Sequence, residues 1–287
     1  IMDCQKIEIS IIVPFYRGNQ YMNQLFASIN HVANTMAKKV KFEVIMVNDS
    51  CDVQIVLPSN INHIDVKIFE NERNMGIQKT RINGLKHAKG GWIIFLDQDD
   101  ELLAEGFEEQ LMLTNQADII VGNGLYQYGN KKKLIYKNRN TMEYLIQKKR
   151  FIEIRNLIPS PGECLIRKTA IPKLWIDSPI KHNGADDWLL WILLFQNGCK
   201  FQYNEKMVYV HNDSDGQNLS LDLEKMYISA MEMYEFLKNQ LKDTELNSLR
   251  DAIQFKFLQD SGKLQIKDIW LYRKTIYNNL IYKIKSI

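Results

Sequence analysis

The sequence predicts an α/β protein: a mostly parallel sheet flanked by helices, followed by a C-terminal helical appendage. Three observations carry that prediction. Residues 7–13 and 42–47 are β-branched, nearly continuous apolar runs, the pattern of strands buried on both faces. Strand-like and helix-like segments then alternate, which implies right-handed crossovers between parallel strands. From about residue 221 onward only helical patterns remain. Ligands on such sheets bind beyond the carboxyl ends of the strands, so the residues just after each strand are the candidates for function.

Taken in order, further strands are expected at 66–69, 92–96 and 118–121, with helices at about 20–38, 76–89 and 102–115. Gly124, Gly129 and the run Lys131-Lys132-Lys133 suggest a hairpin within 123–139, the lysines forming a solvated turn. Pro159, Pro161 and Gly162 mark a loop before a short strand at 164–167, and an apolar helix at 186–196 ends at Gly198. A strand is expected at 207–210. Helices should follow at 221–242 and 245–259, with a last one opening at Ser261. The expected organisation is a catalytic α/β domain over 1–220 and a helical region over 221–287.

Composition narrows the function. The 287 residues are 45% hydrophobic and 25% charged, an ordinary globular balance, and a net charge of +3 is too small to imply nucleic acid. Cys4, Cys51, Cys164 and Cys199 are scattered without a Cys-x-x-Cys pair, which reads as reduced thiols rather than a zinc site or disulfide framework. No apolar stretch is long enough to span a bilayer and no secretory signal opens the chain, so a cytoplasmic location is expected, either soluble or resting on the inner face of the membrane.

The strongest local signal is Phe95-Leu96-Asp97-Gln98-Asp99-Asp100: three carboxylates in four residues at the end of a buried strand. Close like charges repel unless a cation neutralises them, and hard oxygens favour magnesium or manganese. The same acids could instead form a solvated turn capping a helix from about Leu102. A second acidic site, Gly184-Ala185-Asp186-Asp187-Trp188, opens the apolar helix, where acids also serve the first turn. Trp188 and Trp191 share a helix face, suited either to stacking on a sugar or to core packing.

Around these residues the chain resembles the family 2 glycosyltransferases of the GT-A (Rossmann-like) fold. The resemblance rests on Ser10-Ile11-Ile12-Val13-Pro14-Phe15-Tyr16, then Val47-Asn48-Asp49-Ser50, then Asn74-Met75-Gly76 with Arg81 and Gly84, then Ala88-Lys89-Gly90 leading into the acidic strand. It runs from about Ser10 to Ser220. It implies an inverting, metal-dependent transfer from a nucleotide-diphosphate donor, usually a UDP-sugar, to a saccharide or lipid-linked acceptor in bacterial surface glycan assembly. By position, Pro14, Phe15 and Tyr16 border the nucleoside, Asp49 accepts from the base and Arg81 helps hold the nucleotide. Asp97 faces ribose or metal, Asp99 ligates manganese or magnesium, and Asp187 matches the catalytic base. His211, after the 207–210 strand, meets the metal or diphosphate, and the loop through Asn218-Leu219-Ser220 closes over the donor. Arg17, Asn48, Ile82 and Asp186 depart from the family pattern, which usually has Asn, Asp, Asn and Glu there. Tyr16 and Arg81 each have an alternative as a packing residue and a surface helix residue.

Two other readings stay open: a nucleotidyltransferase, which would leave the Asp187 segment without a role, and a non-catalytic carbohydrate-binding scaffold. Near the C-terminus, Ile266, Ile269, Trp270, Ile276, Tyr277, Leu280, Ile281 and Ile284 alternate with six basic residues. That pattern fits a helix lying on an anionic membrane, or one packed on the rest of the chain or on a homodimer partner.

Overall fold

A computed structural model describes residues 7–62, 64–212 and 222–286. His63, Cys4, Leu221 and the expected closing loop through Asn218, Leu219 and Ser220 lie outside the described residues. Contacts divide the chain into two units. One comprises Ile1–Ile135, Ser160–Ile171 and Cys199–Ser214; the other comprises Tyr136–Pro159, Pro172–Gly198 and Asp215–Ile287. The helices beyond residue 220 thus group with two earlier segments.

The first unit is the α/β unit. It runs β1 (Ile7–Phe15), α1 (Met22–Met36), β2 (Val40–Asn48), β3 (Asp65–Glu70), α2 (Ile77–His87), β4 (Trp92–Phe95), β5 (Glu101–Leu102), α3 (Phe107–Met112), β6 (Ile119–Tyr128), β7 (Lys131–Leu134), β8 (Cys164–Arg167) and β9 (Phe201–Asn212). Strand order is β3-β2-β1-β4-β8-β6-β9-β5, with β7 paired to β6. The first four strands are parallel, in register at Ile11↔Val44 and Ile12↔Phe95. Beyond β4 the sheet is mixed: β8 runs antiparallel to both β4 and β6, while β6 and β9 are parallel.

The helices follow from their apolar stripes. In α1, Met22, Leu25, Phe26, Ile29, Val32, Ala33 and Met36 recur at helical spacing and are all buried. Each large side chain so buried contributes about 1.5–3 kcal/mol. Helix α2 is pressed so closely on the sheet that a Cβ on Gly84 would lie 2.4 Å from Ile12 Cγ2. Gly90 likewise abuts the backbone of β1, since a Cβ there would fall 2.6 Å from the Ser10 nitrogen. Glu43, buried on β2, ties these pieces together. It accepts from the Ser10 hydroxyl at 2.6 Å, from Lys67 Nζ at 2.9 Å and from the Lys89 amide at 2.5 Å.

One expected helix is corrected. Glu101 and Leu102 form a short strand paired with β9, and α3 opens only at Phe107. Leu102 is drawn into the sheet because its side chain is 2% exposed in the core, which overrides any helical start. The acidic turn at 97–100 therefore caps no helix.

The second unit holds α4 (Arg139–Leu145), α5 (Lys148–Glu153), α6 (Lys173–Asp177), α7 (Asp186–Gln196), α8 (Leu223–Leu237), α9 (Asp243–Asp260), α10 (Ile266–Leu271) and α11 (Arg273–Lys285). Helix α7 is buried nearly all round, from Asp186 through Leu194 save Asp187. Its chain reverses at Gly198, where φ is 74°. The short helices α4 and α5 escape a sequence reading because each is too brief to show a period. Asn138 caps the first, accepting from the Thr141 amide at 2.9 Å. The single last helix expected from Ser261 is instead two, broken at Tyr272.

Candidate active site

In the first unit the carboxyl ends of β1, β2 and β4 carry the acidic and aromatic residues singled out above. Alternation along β1 separates Pro14 and Tyr16 from Phe15. Tyr16 is 49% exposed, whereas Phe15 is 0% exposed within the core beside Met22, Leu25 and Phe26. The expectation that Phe15 borders the nucleoside therefore falls on a residue whose side chain lies in the core. What Phe15 supplies is its carbonyl, which accepts from the Asp49 amide at 2.8 Å.

Gln98 pairs with the backbone of Tyr16 as a neighbouring strand would, accepting from its amide at 2.9 Å and donating to its carbonyl at 3.0 Å. The next residue, Arg17, has φ of 49°, a conformation to which Asn is better suited than Arg. Its amide donates to Ser50 Oγ at 2.8 Å and its guanidinium pairs with Asp52 at 2.7 Å. Asn48 closes the turn after β2, donating to the Val53 carbonyl and accepting from the Ser50 amide.

Asp49 is buried and holds the loop that leads into α2. Its Oδ1 accepts from the Met75 amide at 2.7 Å and from Asn71 Nδ2 at 2.8 Å, and its Oδ2 accepts from the Gly76 amide at 3.0 Å. Gly76 has φ of 84°, which glycine tolerates.

The three carboxylates at 97–100 have three different environments. Arg81 is only 4% exposed, not a surface helix residue, and its Nη2 lies 2.7 Å from Asp97 Oδ1. Asp100 is 1% exposed. It accepts from the Tyr209 hydroxyl, from the Asn212 amide at 2.9 Å and from His211 Nδ1 at 3.2 Å. Burial opposes a charged imidazole, yet the hydrogen bond and charge of Asp100, with Asp97 and Asp99 beyond, raise His211 to about 9. Two of the three acids are thus paired with basic side chains, although burial still holds Asp100 above its ordinary range.

Asp99 is the remaining acid. It is half-buried, its own backbone amide donates to its carboxylate, and the charge of His211 favours its ionised form. Burial, with the charges of Asp100 and Asp97 nearby, pushes it up to about 7. Among the described residues no three His, Cys, Asp or Glu side chains gather into a metal cage. A magnesium or manganese ion beside a diphosphate requires no such cage, because one or two carboxylates with phosphate oxygens complete its shell. A hard carboxylate just past a strand end, with no side chain among the described residues paired directly to it, fits that donor set. Tyr209, Asn212, Asn71 and Gln98 were missed from sequence. Only Tyr209 left a signal, since it lies two positions before His211 and so shares its strand face.

In the second unit, Asp186 and Asp187 open α7 in different states. Asp186 is 3% exposed, and its carbonyl accepts from Trp175 Nε1 at 2.8 Å. Asp187 is half-buried, its Oδ2 accepting from Asn156 Nδ2 at 2.9 Å and its Oδ1 from the Trp188 amide at 2.7 Å. Trp188 and Trp191 are core residues at 5% and 0% exposure, and Trp188 Nε1 donates to the Phe151 carbonyl at 3.0 Å. A cavity of about 190 Å³ adjoins the start of α7, lined by Asn156, Ala185 and Trp188 with Met226, Tyr227 and Phe257. Among the described residues no helix is long and apolar enough to cross a membrane.

A parallel sheet with this acidic strand end, extended by a mixed half and accompanied by helices, is the GT-A fold of glycosyltransferases. Over residues 10–175 the chain matches the profile of Glycosyl transferase family 2, and it belongs to that family. It is similar to an uncharacterized glycosyltransferase of Haemophilus influenzae, 32% identical over 145 residues that cover 48% of this chain and 55% of the relative. It is 24% identical to the Staphylococcus aureus poly(ribitol-phosphate) beta-N-acetylglucosaminyltransferase TarS, covering 81% of this chain and 39% of TarS. The chain thus spans about half or less of the length of these two relatives. The crystal structure of S. aureus TarS 1-349 in complex with UDP-GlcNAc superposes with a TM-score of 0.64 at 18% identity, covering 98% of this chain and 82% of that one. A Campylobacter jejuni GalNAc(5)-diNAcBac-PP-undecaprenol beta-1,3-glucosyltransferase is 25% identical, with coverage of 97% of this chain and 90% of the relative.

Proposed function

We propose that this chain is an inverting glycosyltransferase that moves a sugar from a UDP-type donor to a hydroxyl of a saccharide or lipid-linked acceptor in bacterial surface glycan synthesis. The observation that carries the reading is Asp99, a half-buried carboxylate just beyond β4 with which no side chain among the described residues pairs directly, beside two acids that are paired with Arg81 and His211. The names of the relatives, one acting on poly(ribitol-phosphate) and one on an undecaprenol-linked glycan, support a polymeric or lipid-linked acceptor. The catalytic portion in this reading is 1–220, with 221–287 as the helical appendage, and its setting is the cytoplasm.

Asp99 would hold a divalent metal, manganese or magnesium, and His211 would meet the same metal or the diphosphate. Such an ion, when bound, neutralises charge on the departing nucleotide. Pro14 and Tyr16 border the nucleoside, and Asp49, through the loop it anchors, presents the base-binding edge. Arg81 acts by fixing Asp97 toward the ribose. Asp187, oriented by Asn156, accepts the proton of the incoming hydroxyl as the new glycosidic bond forms and the bond to the diphosphate breaks, which inverts the anomeric carbon. The Asp187 segment has no role in a nucleotidyltransferase. Titration calorimetry with UDP, with and without manganese, tests the donor half: binding that is absent or indifferent to metal removes it. A panel of nucleotide sugars assayed for donor hydrolysis then identifies the sugar.

A further inference from the structure

The C-terminal helices of the second unit are turned inside out. On α11 the polar residues Thr275 and Asn278 are buried, at 5% and 8% exposure, while Tyr277, Leu280 and Ile284 are 62%, 52% and 69% exposed. On α10 the one acid, Asp268, is buried, whereas Ile266, Ile269, Trp270 and Leu271 range from 51% to 88% exposed. Polar contacts pin this register. On α11, Asn278 Nδ2 donates to Glu153 at 3.1 Å and Lys274 pairs with the same carboxylate at 3.0 Å, whereas Asp268 serves the first turn of its own helix, accepting from the Gln265 amide at 2.8 Å. Rotating α11 to bury its apolar stripe would take Asn278 and Lys274 away from the buried Glu153, leaving it only Lys149 at 3.9 Å among the described ion pairs.

Seven large apolar side chains are exposed within nineteen consecutive positions, a density that soluble surfaces rarely show. Their surroundings are basic: residues 261–287 contain Lys263, Lys267, Arg273, Lys274, Lys283 and Lys285 against the single acid Asp268. All six are exposed. Trp270 and Tyr277 are the residue types that settle at a membrane interface, with one end apolar and the other wet. A second copy docked symmetrically on this face would bring these cations against themselves, because a two-fold contact meets its own surface.

We infer that α10 and α11 form a docking face for an anionic lipid surface, into which Trp270, Leu280 and Ile284 insert while the lysines meet the headgroups. The proposal is independent of the transfer reaction.

The test is flotation of the full chain with vesicles of phosphatidylcholine alone or mixed with phosphatidylglycerol. The parent should float with the mixed vesicles and hardly at all with the neutral ones. A Trp270→Ser, Leu280→Ser, Ile284→Ser variant, altered only at exposed positions and checked for an unchanged melting temperature, should lose binding on the order of a hundredfold. A Lys267→Gln, Lys283→Gln variant should lose roughly fivefold per charge. The proposal is overturned if the triple variant floats like the parent, if neutral and anionic vesicles bind equally, or if the parent ignores both. Sedimentation adds a further way to overturn it: a concentration-dependent dimer that the triple variant abolishes would assign the face to a second copy instead.

Discussion

The guanidinium of Arg81 reaches from the buried side of α2 to Asp97, with Nη2 2.7 Å from Oδ1, and so clamps the helix to the acidic end of β4. Removing it would leave Asp97 near the charge of Asp99 with only His211, among the described residues, as a shared counter-charge. Arg81→Ala should destabilise the fold by about 2 kcal/mol and weaken nucleotide binding together. Arg81→Lys, which keeps the charge but not the planar fork, should recover stability only in part. Denaturant unfolding beside UDP titration checks both. A variant with parental stability would show that the pair is incidental.

Asp99→Asn should remove most of the metal-dependent UDP affinity while leaving the melting temperature nearly unchanged, since among the described residues no side chain pairs directly with this carboxylate and His211 keeps Asp100 as its principal partner. Asp100→Asn should do the opposite. It disturbs the buried contacts of Tyr209, His211 and Asn212, so stability should fall before affinity does. Calorimetry and thermal melts on the two variants separate the roles, and matching profiles would undo the distinction.

Asp187→Asn should lower transfer by roughly a hundred- to ten-thousand-fold with donor affinity nearly unchanged. Asp186, at 3% exposure, is the structural member of the pair, and Asp186→Asn should cost stability more than turnover. Asn156→Ala, which removes its hydrogen bond to Asp187 Oδ2, should fall between them by lowering kcat rather than donor affinity. A dead Asp186 variant beside an active Asp187 variant would exchange the two assignments.

Glu43 supplies a pH dependence. Burial pushes its carboxyl upward, but hydrogen bonds from Ser10, the Lys89 amide and Lys67 outweigh this and hold it below the ordinary 4.5. A depressed folded value means that the stabilisation is complete above the unfolded value and is lost as pH falls through the folded one. Glu43→Gln should therefore be less stable than the parent at pH 7, and the gap should narrow below about pH 4.5. A gap that stays constant down to low pH would show that shape rather than charge matters here.

Gly84→Ala should cost about 1–3 kcal/mol, because the added methyl would sit 2.4 Å from the fully buried Ile12. Pairing it with Ile12→Ala, which removes the Cγ2 that the methyl would meet, should cost less than the sum of the two single changes, which a double-mutant cycle measures.

Much of this protein was legible in one dimension because its main elements are locally determined. The doubly buried strands β1 and β2 and the uniformly apolar α7 carry their environment in their composition, so their existence, and for α7 its limits, followed from sequence. The strand-end motifs likewise mark where candidate ligands meet the sheet, because a parallel sheet exposes its carboxyl ends.

What only the tertiary structure decided are the pairings. Asp97, Asp99 and Asp100 are alike in sequence, and nothing local says that Arg81 claims the first while Tyr209 and His211, more than a hundred positions away, claim the last. Phe15 and Tyr16 are adjacent aromatics, and the pleat alone sends one to the core and the other to solvent. Leu102 opens a helix on paper, but β9 captures it as a strand through long-range hydrogen bonds. The apolar stripe of α11 predicts an inward face; Glu153, distant in sequence, turns it outward because a buried carboxylate must be partnered before a helix can bury its leucine. Sequence determines which residues prefer the interior and which can bear charge, whereas the partner that satisfies each buried charge is chosen only when the chain closes on itself.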